Sequence, residues 1–248
     1  MSIDVRVPEL LDLIDPDTQI EPLGTGCQFT EGPLWNVKEK FLLFSDIPAN
    51  QMKKWTPESG ITTFRDPSGK SNGLTYDKQG RLIACEHANR RVSRTEADGT
   101  VVTIASHYNS KRLNSPNDVV VKLDGSIYFT DPPYGLTAAY GVEGKQELDF
   151  QGVYRLSSDG TLTLLVDDFD RPNGLCFSPD ESILYINDTA RMHIRAFDVR
   201  RDGILANGRV FAQEQGANGA PDGMKVDERG DVYVTGPGGI WVFNPSGA

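Results

Sequence analysis

Five stretches of this 248-residue chain share one pattern, and their spacing limits the folds open to it. They are EGPLWNVKEKFLLFSD (31–46), NGLTYDKQGRLIACE (72–86), NDVVVKLDGSIYFTD (117–131), NGLCFSPDESILYIN (173–187) and DGMKVDERGDVYVTG (222–236). Each opens on a side chain bearing oxygen. A short apolar strand follows, then a polar turn, commonly with Asp and Gly, then a second β-rich strand. The opening residues Glu31, Asn72, Asn117, Asn173 and Asp222 lie 41, 45, 56 and 49 residues apart. Two further strand-like runs with Asp-Gly turns complete the better-defined units, as in GVYRLSSDG and TLTLLVDD after the third.

A repeat of this length built only from β segments predicts the blades of a β-propeller, four strands to a blade. No 3.6-residue periodicity persists beyond about two turns, so a helical solenoid is excluded; the single helical candidate is PELLDLI at 8–14. The first strand of a blade lines the central channel, so residues at one offset should form a ring at one mouth. For Asn72, the alternative is ordinary turn chemistry, since Asn-Gly commonly opens a strand after a turn. Glu31, in TEGPLW, has no such explanation.

Such a ring offers two carboxylates, Glu31 and Asp222, and the amide carbonyls of Asn117 and Asn173. Like charges facing each other in a channel repel unless a cation lies between them. An oxygen-only set suits Ca²⁺ first, with Mg²⁺, Mn²⁺ or Zn²⁺ as alternatives, and a cation there can polarise an ester carbonyl. Loops on the same face add His87 and Asn89 (EHANRR), Arg112 and Asn114 (KRLNSPND), and Tyr134 with Tyr140 in a long insertion at 131–150 that should overhang the mouth like a lid. Asn72, His87, Asn89, Arg112, Asn114 and Tyr134 are the candidate substrate-binding residues.

Composition excludes other classes. The net charge of −10 argues against nucleic acid as a partner, and no apolar run approaches the ~20 residues of a membrane span. The N-terminus lacks the pattern of a signal peptide, which points to the cytoplasm, or to the periplasm if a precursor has been trimmed. Cys27, Cys85 and Cys176 form no CxxC and read as buried free thiols in a reducing compartment. GKSNG at 69–73 fits G-x-S-x-G, but a strand rather than a helix follows, so Ser71 is not a nucleophile. The three histidines show no zinc-peptidase spacing.

TEGPLW, SNGLTYDKQGRLIACEHANRRVSR, RLNSPNDVVVKLDGSIYFTDPPYG, RPNGLCFSPD and APDGMKVDERGDVYVTGPGGIWVF together resemble the gluconolactonase, regucalcin (senescence marker protein) and luciferin-regenerating-enzyme family, from about residue 20 to the end. The resemblance implies a six-bladed propeller with one divalent metal and lactone hydrolysis on a sugar lactone such as glucono-1,5-lactone, hence a place in carbohydrate metabolism. It makes Glu31, Asn173 and Asp222 metal ligands, Asp222 also the catalytic acid/base, and Asn117 a contact to metal or substrate. Asp118 corresponds to a second metal position in some relatives. A substrate-contacting arginine of regucalcin-like members falls on Ser115, leaving Arg112 as a nearby substitute. Only five repeats are visible, so the sixth blade is expected to be missing or truncated. Residues 1–248 are expected to form one propeller domain, with residues 1–25 as an N-terminal segment holding a short helix and a strand near IEPLG that closes the last blade. Two other functions suit the same ring: a non-catalytic propeller binding calcium or a ligand, and a promiscuous esterase or organophosphate hydrolase.

Overall fold

In the second strand of each repeat, neighbouring residues are apolar on both faces, so the strand must be covered on both sides. In LIACE all five residues are buried, with Leu82 and Ala84 turned one way and Ile83 and Cys85 the other. Sheets stacked face to face around an axis satisfy that pattern. The structure, a computed structural model, describes residues 3–248.

The first blade is β1 (Thr30–Asn36), β2 (Phe41–Asp46), β3 (Gln51–Thr56) and β4 (Gly60–Arg65). The second is β5 (Ser71–Tyr76), β6 (Leu82–Glu86), β7 (Arg91–Thr95) and β8 (Val101–Ala105), followed by a small hairpin of β9 (His107–Tyr108) and β10 (Lys111–Arg112). The third is β11 (Val119–Val121), β12 (Ile127–Asp131), β13 (Gln151–Leu156) and β14 (Leu162–Phe169). The fourth is β15 (Pro172–Phe177), β16 (Ile183–Asp188), β17 (His193–Val199) and β18 (Leu205–Gln213). The fifth has three strands, β19 (Met224–Val226), β20 (Val232–Gly236) and β21 (Gly239–Phe243), so the expected four-strand unit holds for four blades and not for the last. Every pairing within a blade is antiparallel.

Four hydrophobic clusters fill the four interfaces between successive blades. Leu43 and Met52 meet Leu74 and Ala84 in the first, and Cys85 and Val92 meet Phe129 and Tyr154 in the second. Tyr128 and Val153 meet Leu175 and Ile186 in the third, and Cys176 and Ile194 meet Met224 and Val234 in the fourth. Cys85 and Cys176 thus serve as small core residues, and burial pushes both thiols up, that of Cys176 to about 12. Cys27, expected to be buried, is only half-buried.

Close packing of inner strands runs β1, β5, β11, β15, β19. Between the fifth blade and the first lies an apolar groove of about 890 Å³, walled by Leu42, Phe44 and Ile61 on one side and Met224, Val234 and Ile240 on the other. The N-terminal segment crosses this region. Arg6 stacks on Trp241, and Trp55 donates a hydrogen bond to the Leu23 carbonyl at 3.1 Å. The helical candidate at 8–14 appears as a 3₁₀ turn over Pro8–Asp12 with no buried side chain. The blade-closing strand expected near IEPLG does not form: residues 18–29 pair with no sheet, and Pro22, Gly24 and Gly26 interrupt the run of donors and side chains a ladder needs. Met1 and Ser2, part of that expectation, lie outside the described residues. No described helix is long and apolar enough to cross a membrane.

Candidate functional site

The inner strands place three of the five opening residues by one repeated device. In β1, β5 and β15 the pairing slips at the opening residue, between Glu31 and Leu34, between Ser71 and Leu74, and between Pro172 and Leu175. A bulge of this kind re-aims one side chain without ending the strand. Before β11 and β19, Asn117 and Asp222 sit two residues ahead of the ladder, their amides donating to Thr130 and Thr235 carbonyls at 2.9 and 3.1 Å. The backbone carbonyls are then tied to neighbouring blades. Asn72 O accepts from Ser45 Oγ at 2.8 Å, Asn117 O from the Gly73 amide at 2.8 Å, Asn173 O from Thr130 Oγ1 at 2.7 Å, and Asp222 O from the Asn187 side-chain amide.

All five opening residues line one cavity of about 170 Å³. At ~30 Å³ for each water, it holds on the order of six waters or one small ring molecule. A second tier comes from residues that follow the acid ending the second strand of the first, second and fourth blades: Ile47 after Asp46, His87 after Glu86, and Thr189 after Asp188. The insertion closes the top with Tyr134 and Tyr140, the latter 5.3 Å from the Phe29 ring between centroids. Several bonds hold the insertion down. Ser115 Oγ donates to Pro132 O at 2.5 Å and accepts from the Gly135 amide at 2.8 Å, and Lys70 Nζ donates to Ala138 O at 2.8 Å. The departure at Ser115 therefore has a local use, since Gly135 sits so close that an added Cβ would come within 2.7 Å of Ser115 Cβ.

Glu31 and Asp222 touch through their carboxyl groups. Burial first, then the charge of Asp222, pushes Glu31 above the usual carboxylate range; burial raises Asp222 as well. The pair therefore holds a proton that the unfolded chain would release. Stability from that proton is complete below the ordinary carboxylate range and is lost as pH rises through the raised range. In chelator, the melting temperature of the wild-type protein should fall as pH rises from the ordinary carboxylate range through neutral, and Glu31→Gln should flatten that slope. Asp131 and Glu214, each raised to about 7 by burial, titrate in the same window. The difference between wild type and variant is thus the measurement, and equal slopes would show that the pair holds no such proton.

Not every expected residue reaches the cavity. Asn114 is fully buried, its amide and side chain bonded to Asp131 and Phe150. Asn89 turns into its blade to bond Glu86, and Arg112 donates to Asn89 O at 2.9 Å on the hairpin. None of the three lines the cavity, because each is consumed by loop backbone or a strand-end acid. Asp118 spans two blades: its oxygens accept from Val119 N at 2.9 Å and Leu175 N at 3.3 Å. Among the described residues no three of His, Cys, Asp or Glu gather into a metal-binding group; the ring combines two acids with amides. Phe29, Ile47 and Thr189 were missed. For Ile47 and Thr189 the signal was there, in the shared offset with His87.

Known proteins agree with this architecture. A gluconolactonase of Zymomonas mobilis is 38% identical over 262 residues, spanning 97% of this chain and 73% of its own length. A pentonolactonase of Haloferax volcanii is 28% identical over 85% of this chain and 67% of its own length. Among solved structures, a gluconolactonase from Xanthomonas campestris is 39% identical with a TM-score of 0.85, over 91% of this chain and 75% of that one. Regucalcin from Agrobacterium tumefaciens, described as a calcium-binding protein, shares the fold at 20% identity with a TM-score of 0.73, over 91% of this chain and 74% of that one. Residues 29–248 match the SMP-30/Gluconolactonase/LRE-like region, and the chain belongs to that family.

Proposed function

We propose that this protein hydrolyses a polyhydroxylated sugar lactone, such as glucono-1,5-lactone, at the channel mouth. The observation that carries the proposal is the contact between two half-buried carboxyl groups, Glu31 and Asp222, in a small cavity that three amide side chains, Asn72, Asn117 and Asn173, also line. The names of the gluconolactonases at 38% and 39% identity support the same chemistry.

The residues fit a hard divalent cation. Two carboxylates forced together need a positive charge between them, and the donors are oxygens. The Asn173 amide nitrogen is engaged by Thr189 at 3.1 Å, which leaves its carbonyl oxygen as the ligand atom. Glu31, Asn117, Asn173 and Asp222 would hold Ca²⁺, or Mg²⁺, Mn²⁺ or Zn²⁺. Such an ion, when bound, polarises a carbonyl and acidifies water. The chain's own part is proton transfer and positioning. Asp222 takes a proton from water as the water oxygen bonds to the lactone carbonyl carbon. The ring C–O bond then breaks, and the departing oxygen recovers the proton from Asp222, giving the hydroxy acid. Asn72 and Asn117 hold ring hydroxyls, and Tyr134 covers the ring. A six-bladed ring is part of this proposal, supported by the apolar walls facing each other between the fifth and first blades; these resemble the packed faces between the other blades.

Acid release from a panel of aldonolactones, with and without chelator, tests the proposal. Opening should stop in EDTA and return with a divalent cation. Activity indifferent to EDTA would remove the ion from the chemistry. If calcium raised the melting temperature while no lactone opened above background, a binding protein would be the better description.

A further inference from the structure

We propose that His87 is a specificity-determining hydrogen-bond acceptor for one hydroxyl of the substrate ring, and that the loop over the cavity sets this role by fixing the imidazole tautomer. The inference rests on the lactonase proposal and specifies which lactones that site takes.

His87 Nδ1 lies 3.1 Å from the Tyr140 carbonyl oxygen. A carbonyl oxygen only accepts, so Nδ1 carries the proton. A neutral imidazole has one N–H, which leaves Nε2 as a bare acceptor. The ring stays neutral because burial pushes its pKa down to about 4. His87 is 1% exposed and lines the cavity, and Nε2 has no partner among the described residues. A buried acceptor without a donor is costly, and the described residues supply none.

The ring has little freedom to turn. The His87 amide donates to Lys70 O at 3.1 Å, and Gly135 packs so close that an added Cβ would lie 2.6 Å from His87 Cβ. The Tyr140 carbonyl belongs to the insertion latched by Ser115 and Lys70. With the insertion down, the site therefore presents an acceptor at a fixed place and rewards a ligand hydroxyl there. A lactone lacking that hydroxyl leaves Nε2 unpaired and is discriminated against.

The test pairs His87→Leu and His87→Gln with an aldono-1,5-lactone, its mono-deoxy analogues and δ-valerolactone. In the wild type, one mono-deoxy lactone should lose about tenfold in kcat/KM, the scale of one neutral hydrogen bond. His87→Leu should cost the parent lactone about the same factor while leaving that analogue within about twofold, so the two deletions fail to add. His87→Gln, whose side-chain carbonyl keeps an acceptor, should retain the preference. Two-bond ¹H–¹⁵N correlations on the wild type should show Nδ1 protonated and Nε2 bare, a readout that needs neither a variant nor turnover. A protonated Nε2, or equal losses on every lactone in His87→Leu, would overturn the inference alone. A wild type that opens no lactone would overturn the lactonase proposal and the role of His87 with it.

Discussion

Asp222→Asn is expected to lower kcat/KM for a sugar lactone by about 10²–10⁴-fold, the usual contribution of a positioned general base, while the protein stays folded. The substitution keeps the size and one oxygen of the side chain and removes its capacity to take a proton. It also removes one of the two facing charges, so in chelator above neutral pH the variant should melt no lower than the wild type. The backbone around Asp222 does not depend on the carboxyl group. Its carbonyl is held by Asn187 and its amide by the Thr235 carbonyl. A fall of less than about tenfold would assign Asp222 to structure or binding and move proton transfer to another group. A large fall accompanied by a lower melting temperature would show the carboxyl group to be part of the scaffold. Glu31→Gln separates the roles further. It leaves Asp222 in place, so its effect should follow the loss of divalent-ion affinity and shrink as the ion is raised.

The ring was legible in the sequence because period and offset are set by the geometry of stacked blades, which a linear pattern records. Glu31, Asn72, Asn117, Asn173 and Asp222 reach one cavity as their offsets predict. The partners of loop side chains were not legible, because they depend on which backbone groups a loop leaves unpaired. Asn114 and Asn89 lie on the correct side of the molecule, yet each satisfies a strand-end acid, Asp131 or Glu86, before it can meet a ligand. Asp118 likewise bonds backbone, its oxygens accepting from the amides of Val119 and Leu175. Strand count was legible where the Asp-Gly turns are regular and failed at the edges. The fifth sheet stops at three strands, and IEPLG lies against Trp55 without joining a ladder. Turn chemistry, the ordinary explanation for the Asn-Gly and Asp-Gly pairs, missed the packing constraint. The glycine after Glu31, Asn72 and Asn173 faces the backbone of the next blade. A Cβ at Gly174 would come within 2.2 Å of Asp222 O, and one at Gly73 within 2.6 Å of Asn117 O.

That constraint gives the largest expected effect on stability, at Gly32→Ala. Gly32 follows Glu31 in the bulge of β1, with φ of +59°. An added Cβ would lie 2.2 Å from Asn72 O and 3.0 Å from Gly73 Cα, atoms of the neighbouring blade's backbone that cannot swing aside. Two costs combine. A left-handed conformation disfavours alanine by about 1 kcal/mol, and forcing the blades apart adds about 1–3 kcal/mol or more. For a domain of this size each kcal/mol shifts the melting temperature by about 2–4 °C, so a fall of about 5–15 °C is expected. Gly80→Ala is the control. Its φ of +77° carries the same conformational cost, but no described residue lies within 4 Å of an added Cβ, so its shift should be only about 2–4 °C. Because Gly32 separates Glu31 from the rest of its strand, displacement there also moves a carboxylate away from Asp222. Loss of lactone opening of up to about 10²-fold should accompany the lower melting temperature, since a shift of about 1 Å at a reacting group costs that much. Equal thermal shifts in the two variants would mean that interblade contact at Gly32 is soft and that the ring is positioned by the side chains of β2 instead.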